Sequence, residues 1–147
     1  MPTAAKLVSA VAFALVGWLA ALAYIPQLPE GTNTTYLPPM LAVLGFLVAW
    51  LSMGPNAGRG YVSSISLGLR TSVLLVFWGL LCFAVQYMVK QSFHVGHYHN
   101  LGEAVLDVPM LMLQYGKPAV CAAVIEVLVV GGVLGGIVTE FAGRRWR

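Results

Sequence analysis

Charge is what this sequence has least of: 9% of its 147 residues are charged, with five acidic side chains against eight lysines and arginines. Soluble domains carry about 25% charged residues, so the composition excludes an ordinary water-facing globule. Cysteine is almost as scarce. The two present, Cys82 and Cys121, form no C-x-x-C pair, and in ideal helices their heights would differ by about 8 Å, which argues against a disulfide. There is no haem-attachment motif and no dinucleotide fingerprint, so no cofactor is expected. The net charge of +3 is spread along the chain without a basic patch of the nucleic-acid-binding kind. No internal repeat or low-complexity tract is present.

What the chain has in abundance is apolar length, with 59% hydrophobic residues. Crossing a hydrocarbon core of about 30 Å takes roughly 17 to 25 apolar residues, and four runs qualify. They are 7–25, 37–53, 71–89 and 119–141, the last of which can also be framed as 119–138 or 126–143. Pro38 and Pro39 open the second run, where a missing amide donor costs least. Lys6 and the Ala21-Leu22-Ala23 triplet imitate a cleavable leader, but the first apolar run exceeds a signal core and reads as a retained helix. The expectation is an all-α membrane protein, one domain over 1–147, with four transmembrane helices.

Basic residues orient it. Lys6, Arg59, Arg70, Arg144, Arg145 and Arg147 fall on one side and only Lys90 and Lys117 on the other, so the positive-inside rule puts both termini in the cytoplasm. Arg59, Arg70, Arg144 and Arg145 are then candidates for phosphate or lipid headgroups. Arg59 lies between Gly58 and Gly60 in the turn MGPNAGRGYV, Met53 to Val62, where glycine-rich backbone suits a tight turn and can offer amides to an anion. Ser63, Ser64 and Ser66 make 61–69 too polar for a deep span; this stretch extends the third helix into the interface, with Arg70 snorkelling.

The second outer loop, 90–118, places Asn100, Glu103, Asp107 and Gln114 on one narrow helical arc. Leu101, Val105, Leu106, Val108, Met110, Leu111, Met112, Leu113 and Tyr115 cover the rest, as expected of an interfacial helix over 101–115 that rests on the membrane or docks to a partner. Gly116 and Pro118 are expected to end it, and Pro109 to kink it unless the helix starts at an Asp107 cap. Just before it, SFHVGHYHN gathers His94, His97 and His99, a candidate metal set. On a helix His99 points about 200° from His97, on a strand His94 is the outlier, and only a loop bent at Gly96 brings all three together. The stretch therefore also reads as the leading edge of a docking surface.

Two features of the spans carry further expectations. Glu126 is an acid within the fourth apolar run, costly near a helix centre at about 2.5 to 3.5 kcal/mol; Gln86 is the expected buried hydrogen-bond partner, unless the helix starts at Glu126 and its dipole stabilises the charge. Glu140 stands four residues before Arg144 and reads as an interfacial ion pair. Gly131, Gly132, Gly135 and Gly136 make two overlapping G-x-x-x-G pairs, a signal for close helix packing that leaves the partner open.

The opening MPTAAKLV, the loop Pro29 to Thr32 (PEGT), the turn MGPNAGRGYV and the tail GGVLGGIVTEFAGRRWR together resemble the TrgA family of small, tellurite-resistance-associated bacterial inner-membrane proteins, over the whole chain. The resemblance implies four membrane helices, a cytoplasmic-membrane location and a phenotypic link to tellurite, with no catalytic residues to carry over and no role for the histidine stretch. Members occur in purple bacteria and their relatives, whose photosynthetic and respiratory complexes recruit small helical subunits. The expected role is a non-catalytic accessory or scaffold subunit of a larger membrane complex, in contact with lipid and open to pigment or quinone. The alternative is a tellurite transporter or exporter, although the spans place no internal lysine or arginine along an anion path. A tellurite reductase lacks the thiol pair or redox motif it would need.

Overall fold

A computed structural model describes residues 3–28, 30–53, 60–94 and 101–145, and it contains helices and turns but no strand among them. The helices are α1 (Thr3–Tyr24), α2 (Leu37–Ser52), α3 (Tyr61–His94), α4 (Leu101–Ala119) and α5 (Ala122–Arg145), with a single 3₁₀ turn at Ile25–Gln27 after α1. Segments in α1, α3 and α5 are long and apolar enough to cross a membrane, and α2 is equally apolar but only 16 residues long. These are the features of a membrane protein.

Local chemistry sets the helix ends. Pro26 sits in the 3₁₀ turn that closes α1, where continuation would need an amide it lacks. Pro38 and Pro39 occupy the first turn of α2, whose entry is made by Leu37 N–H donating to the Thr34 carbonyl at 3.0 Å. Gly60 precedes α3 with φ +119, a conformation that side-chain-bearing residues rarely adopt.

α1 packs against α2 and α5, and α3 against α5, α2 and α4. Glycines set how closely. A Cβ on Gly17 would collide with the Leu41 carbonyl, and one on Gly45 with the Phe13 carbonyl, so α1 and α2 touch backbone to backbone at two reciprocal points. Lipid offers helices no hydrophobic gain on association, so close contact of this kind is what holds them together. One buried cluster, Phe13, Val16, Ala49 and Met53, lies toward the end of the bundle that carries Lys6 and Arg144. The other, centred on Tyr24, Leu37, Phe83, Tyr115 and Val124, lies where α4 joins; beside it a purely apolar cavity of about 40 Å³ is bounded by residues such as Ala20, Leu41, Leu75 and Leu128.

Three boundaries differ from those read in the sequence. The helix expected over 101–115 runs through Gly116 and Pro118 to Ala119, with Pro109 inside it. Its packing on α3 outweighs the local breakers: the Tyr115 ring meets Phe83 edge-on at 5.1 Å and Tyr87 at 5.4 Å. The fourth apolar run begins at Ala122, after a break at Val120–Cys121, and extends to Arg145. The third starts at Tyr61, as the expected extension through 61–69 requires, and runs past 89 to His94, 34 residues or about 51 Å, longer than a bilayer core is thick.

Candidate functional site: a buried carboxylate that caps a neighbouring helix

The densest polar cluster forms where α5 meets the start of α3. Gly132 and Gly136 turn toward α3, so closely that a Cβ on Gly136 would meet the Ser64 carbonyl and one on Gly68 the Gly132 carbonyl. Four residues after Gly136, on the same face, Glu140 enters the bundle and is fully buried. Its Oε1 accepts the Gly60 backbone N–H at 3.0 Å and Arg144 Nε at 2.9 Å, while Oε2 accepts the Ser64 hydroxyl at 2.7 Å. The Arg144 guanidinium lies over the Tyr61 ring, 4.7 Å from its centroid.

Gly60 is the N-cap of α3, and its amide is one of the orphan donors at a helix start. A glutamate usually satisfies that donor from the third position of the same helix. Here it comes from α5, 80 residues away in sequence. A carboxylate at a helix N-terminus also lies where the macrodipole favours negative charge. The ion pair with Arg144 is therefore one arm of a larger knot, and Arg144 keeps 55% of its side chain exposed while Glu140 is enclosed.

Other buried polar groups are spent in the same way. Ser72 donates to the Leu128 carbonyl at 3.0 Å, joining α3 to α5; Thr71 contacts Ser52 of α2 at 3.4 Å. Tyr24 of α1 donates to the Tyr115 carbonyl at 2.6 Å, the direct tie from α1 to α4. Burial, with the Tyr87 phenol beside it adding to the effect, pushes the Tyr115 hydroxyl up to about 12. No buried side-chain nitrogen or oxygen lacks a partner among the described residues.

The glycine doublets of α5 divide between two neighbours: Gly132 and Gly136 face α3, whereas Cβ atoms on Gly131 and Gly135 would meet Val16 and Phe13 of α1, each at 2.7 Å. That rotation corrects the expectation for Glu126 and Gln86. Glu126 lies six residues before Gly132, about 120° around the helix, and is exposed, as is Gln86 on α3; the buried acid is Glu140. Glu126 instead stands at the rim of an open apolar groove of about 440 Å³ between α1 and α5, walled by Leu15, Leu19, Val130 and Leu134.

The expected docking residues separate likewise. Tyr115 is buried and anchors α4, Leu111 and Met112 are half-buried, and Leu106 and Met110 are exposed at 76% and 70%. Leu113 and, beyond the end of the expected helix, Val120 share that exposure. Leu101 and Val105 lie in α4, but their side chains fall outside the described residues, as does that of His94, the last residue of α3; His97, His99 and Arg59 lie outside them altogether. Arg70 and Arg145 are exposed, and Cys82 and Cys121 are free thiols. Sequence reasoning missed Gly17, Gly45 and Gly68, isolated glycines without a G-x-x-x-G partner, as well as the burial of Glu140, for which its four-residue spacing from Gly136 was the available signal. Compared with protein-family models, curated proteins and solved structures, the chain matches none of them.

Proposed function

We propose that this chain is a non-catalytic, integral accessory or scaffold subunit of a larger assembly in the bacterial cytoplasmic membrane. In this reading α1, α2, α3 and α5 each cross the membrane, both termini are cytoplasmic, and α4 lies at the outer surface. The resemblance to the TrgA family suggests a photosynthetic or respiratory complex as the host.

The observation that carries the reading is the outward face of α4. Tyr115 pins the helix to α1 and α3, while Leu106, Met110 and Leu113, with Val120 just past its end, are exposed at 70% or more. Contiguous apolar surface of this kind marks a protein or membrane contact. The alternative, export of an oxyanion such as tellurite, requires donors along an internal path, and the buried polar side chains described above are committed to ties between helices.

The test is purification from the native membrane in mild detergent. A partner protein of different sequence should co-purify in stoichiometric amount and be lost when Leu106, Met110 and Leu113 are replaced by serine, with insertion unchanged. A chain that always purifies without another protein overturns the proposal.

A further inference from the structure

Two opposite charges leave this bundle sideways, at nearly the same height and on different faces. Gly68 and Ser72 both turn toward α5, the first against Gly132 and the second bonded to the Leu128 carbonyl. Arg70, midway between them, departs about 200° around α3, is exposed, and sits at the level of Leu128 to Gly132. That level is about 9 to 15 Å along α5 from Ala122 and about 14 Å along α3 from Tyr61, deeper in the bundle than the snorkelling position expected of Arg70 from the sequence. Glu126 is four residues before the middle of that span, about 6 Å higher, on the outer rim of the α1/α5 groove. Neither side chain has a hydrogen bond or ion pair among the described residues. Ionisable groups within membrane helices pair with one another or face a wet interior; these two face outward, and they are too far around the bundle to meet.

We propose that they meet between copies: the outer face of α3 of one chain seats in the α1/α5 groove of the next, bringing Arg70 against Glu126 of the neighbour. The surfaces agree in more than charge. Around Arg70, α3 exposes Val62, Val73 and Phe77 as a ridge, and the groove is apolar along its length, with Gly131 and Gly135 in its floor. Copies inserted in one orientation hold the two charges within about 6 Å of the same depth, a difference that the long arginine and glutamate side chains span. The contact joins unlike surfaces, so it is heterologous and generates a ring or an open array rather than a two-fold dimer. This goes beyond the accessory-subunit reading, which requires a partner of different sequence.

The experiment uses two differently tagged full-length copies in one membrane, with pull-down of one by the other and energy transfer between labelled copies in vesicles. Wild-type copies should associate, and Arg70→Glu alone or Glu126→Arg alone should weaken association about tenfold or more. When copies bearing R70E are mixed with copies bearing E126R, each opposing pair becomes complementary again and association should return; that rescue also shows that both variants fold. Wild-type copies that do not associate, single variants that associate as wild type does, or mixtures that fail to recover while each variant unfolds at its usual temperature overturn the proposal. So does a groove occupied by lipid in a chain that remains monomeric. Self-association without a foreign protein would support this inference and defeat the accessory reading, and the opposite result would do the reverse.

Discussion

The backbone N–H of Gly60 donates to Oε1 of Glu140 across 3.0 Å, tying the first residue before α3 to the last turns of α5. With Ser64 on Oε2 at 2.7 Å and Arg144 beside Oε1, one carboxylate ties the start of α3 to the last turns of α5. The knot sits at the end of the α3–α5 seam, where Gly68, Gly132 and Gly136 have already brought the backbones together, so it fixes the register of a contact that apolar packing alone would leave free to slide.

Removing the acid should therefore be costly. Glu140→Ala strands the Gly60 amide and the Ser64 hydroxyl in a buried site, at about 1–3 kcal/mol for each unsatisfied group. Ser64→Ala, which removes only one donor, should cost less. Gly60→Ala fails for a different reason: no atom lies in the way of a methyl group, but φ +119 imposes a backbone penalty of about 1–2 kcal/mol. Equilibrium unfolding in mixed detergent micelles should rank the three with Glu140→Ala the least stable; equal stability of E140A and wild type would remove the knot from the account.

Glycines that look alike in the sequence should behave oppositely. At Gly17 and Gly45 a methyl group runs into the backbone carbonyl of the neighbouring helix, and backbone cannot rotate away, so alanine should cost about 1–3 kcal/mol. At Gly102 nothing lies within 4 Å, and alanine in α4 should be neutral or stabilising by up to about 1 kcal/mol. Thermal unfolding of the three single variants tests the contrast; a stable Gly17→Ala protein would mean that α1 and α2 do not cross as described.

Those glycines also mark what the sequence revealed and what it withheld. Helical class was legible from apolar run length, and the glycine doublets of α5 announced close packing because they repeat within one helix. Gly17 and Gly45 carry no local repeat; their meaning lies in the carbonyls of Leu41 and Phe13, which only the pairing of two helices brings near. Glu126 and Glu140 show the same limit. Both are acids in one apolar helix, and hydropathy ranks Glu126 as the anomaly. The rotation of α5, set by Gly132 and Gly136, turns Glu140 inward and Glu126 out. The end of α4 was misread because Gly116 and Pro118 are breakers locally, while Tyr115 beside them is held by Phe83 and Tyr24.

Replacing His94, His97 and His99 together by glutamine should leave metal content unchanged after dialysis, because the docking reading of this stretch needs no converging imidazoles. Elemental analysis of the purified protein is the measurement. Stoichiometric zinc or another divalent metal in wild type, lost in the variant, would reinstate the metal reading.

The attachment of α4 can be tested at one atom. The Tyr24 hydroxyl donates to the Tyr115 carbonyl at 2.6 Å from a buried position, and Tyr24→Phe removes that bond while keeping the ring that fills the cluster with Leu37 and Phe83. A net loss of about 1 kcal/mol is expected, and it should be local. The Glu140 knot lies at the other end of the bundle, so α3 and α5 near it should keep their amide protection while α4 opens about five times more often. Hydrogen exchange resolved along the chain reads both quantities together. Faster exchange confined to α4 supports the tie between α1 and α4; exchange that rises equally in all helices would show that Tyr24 acts through global stability instead.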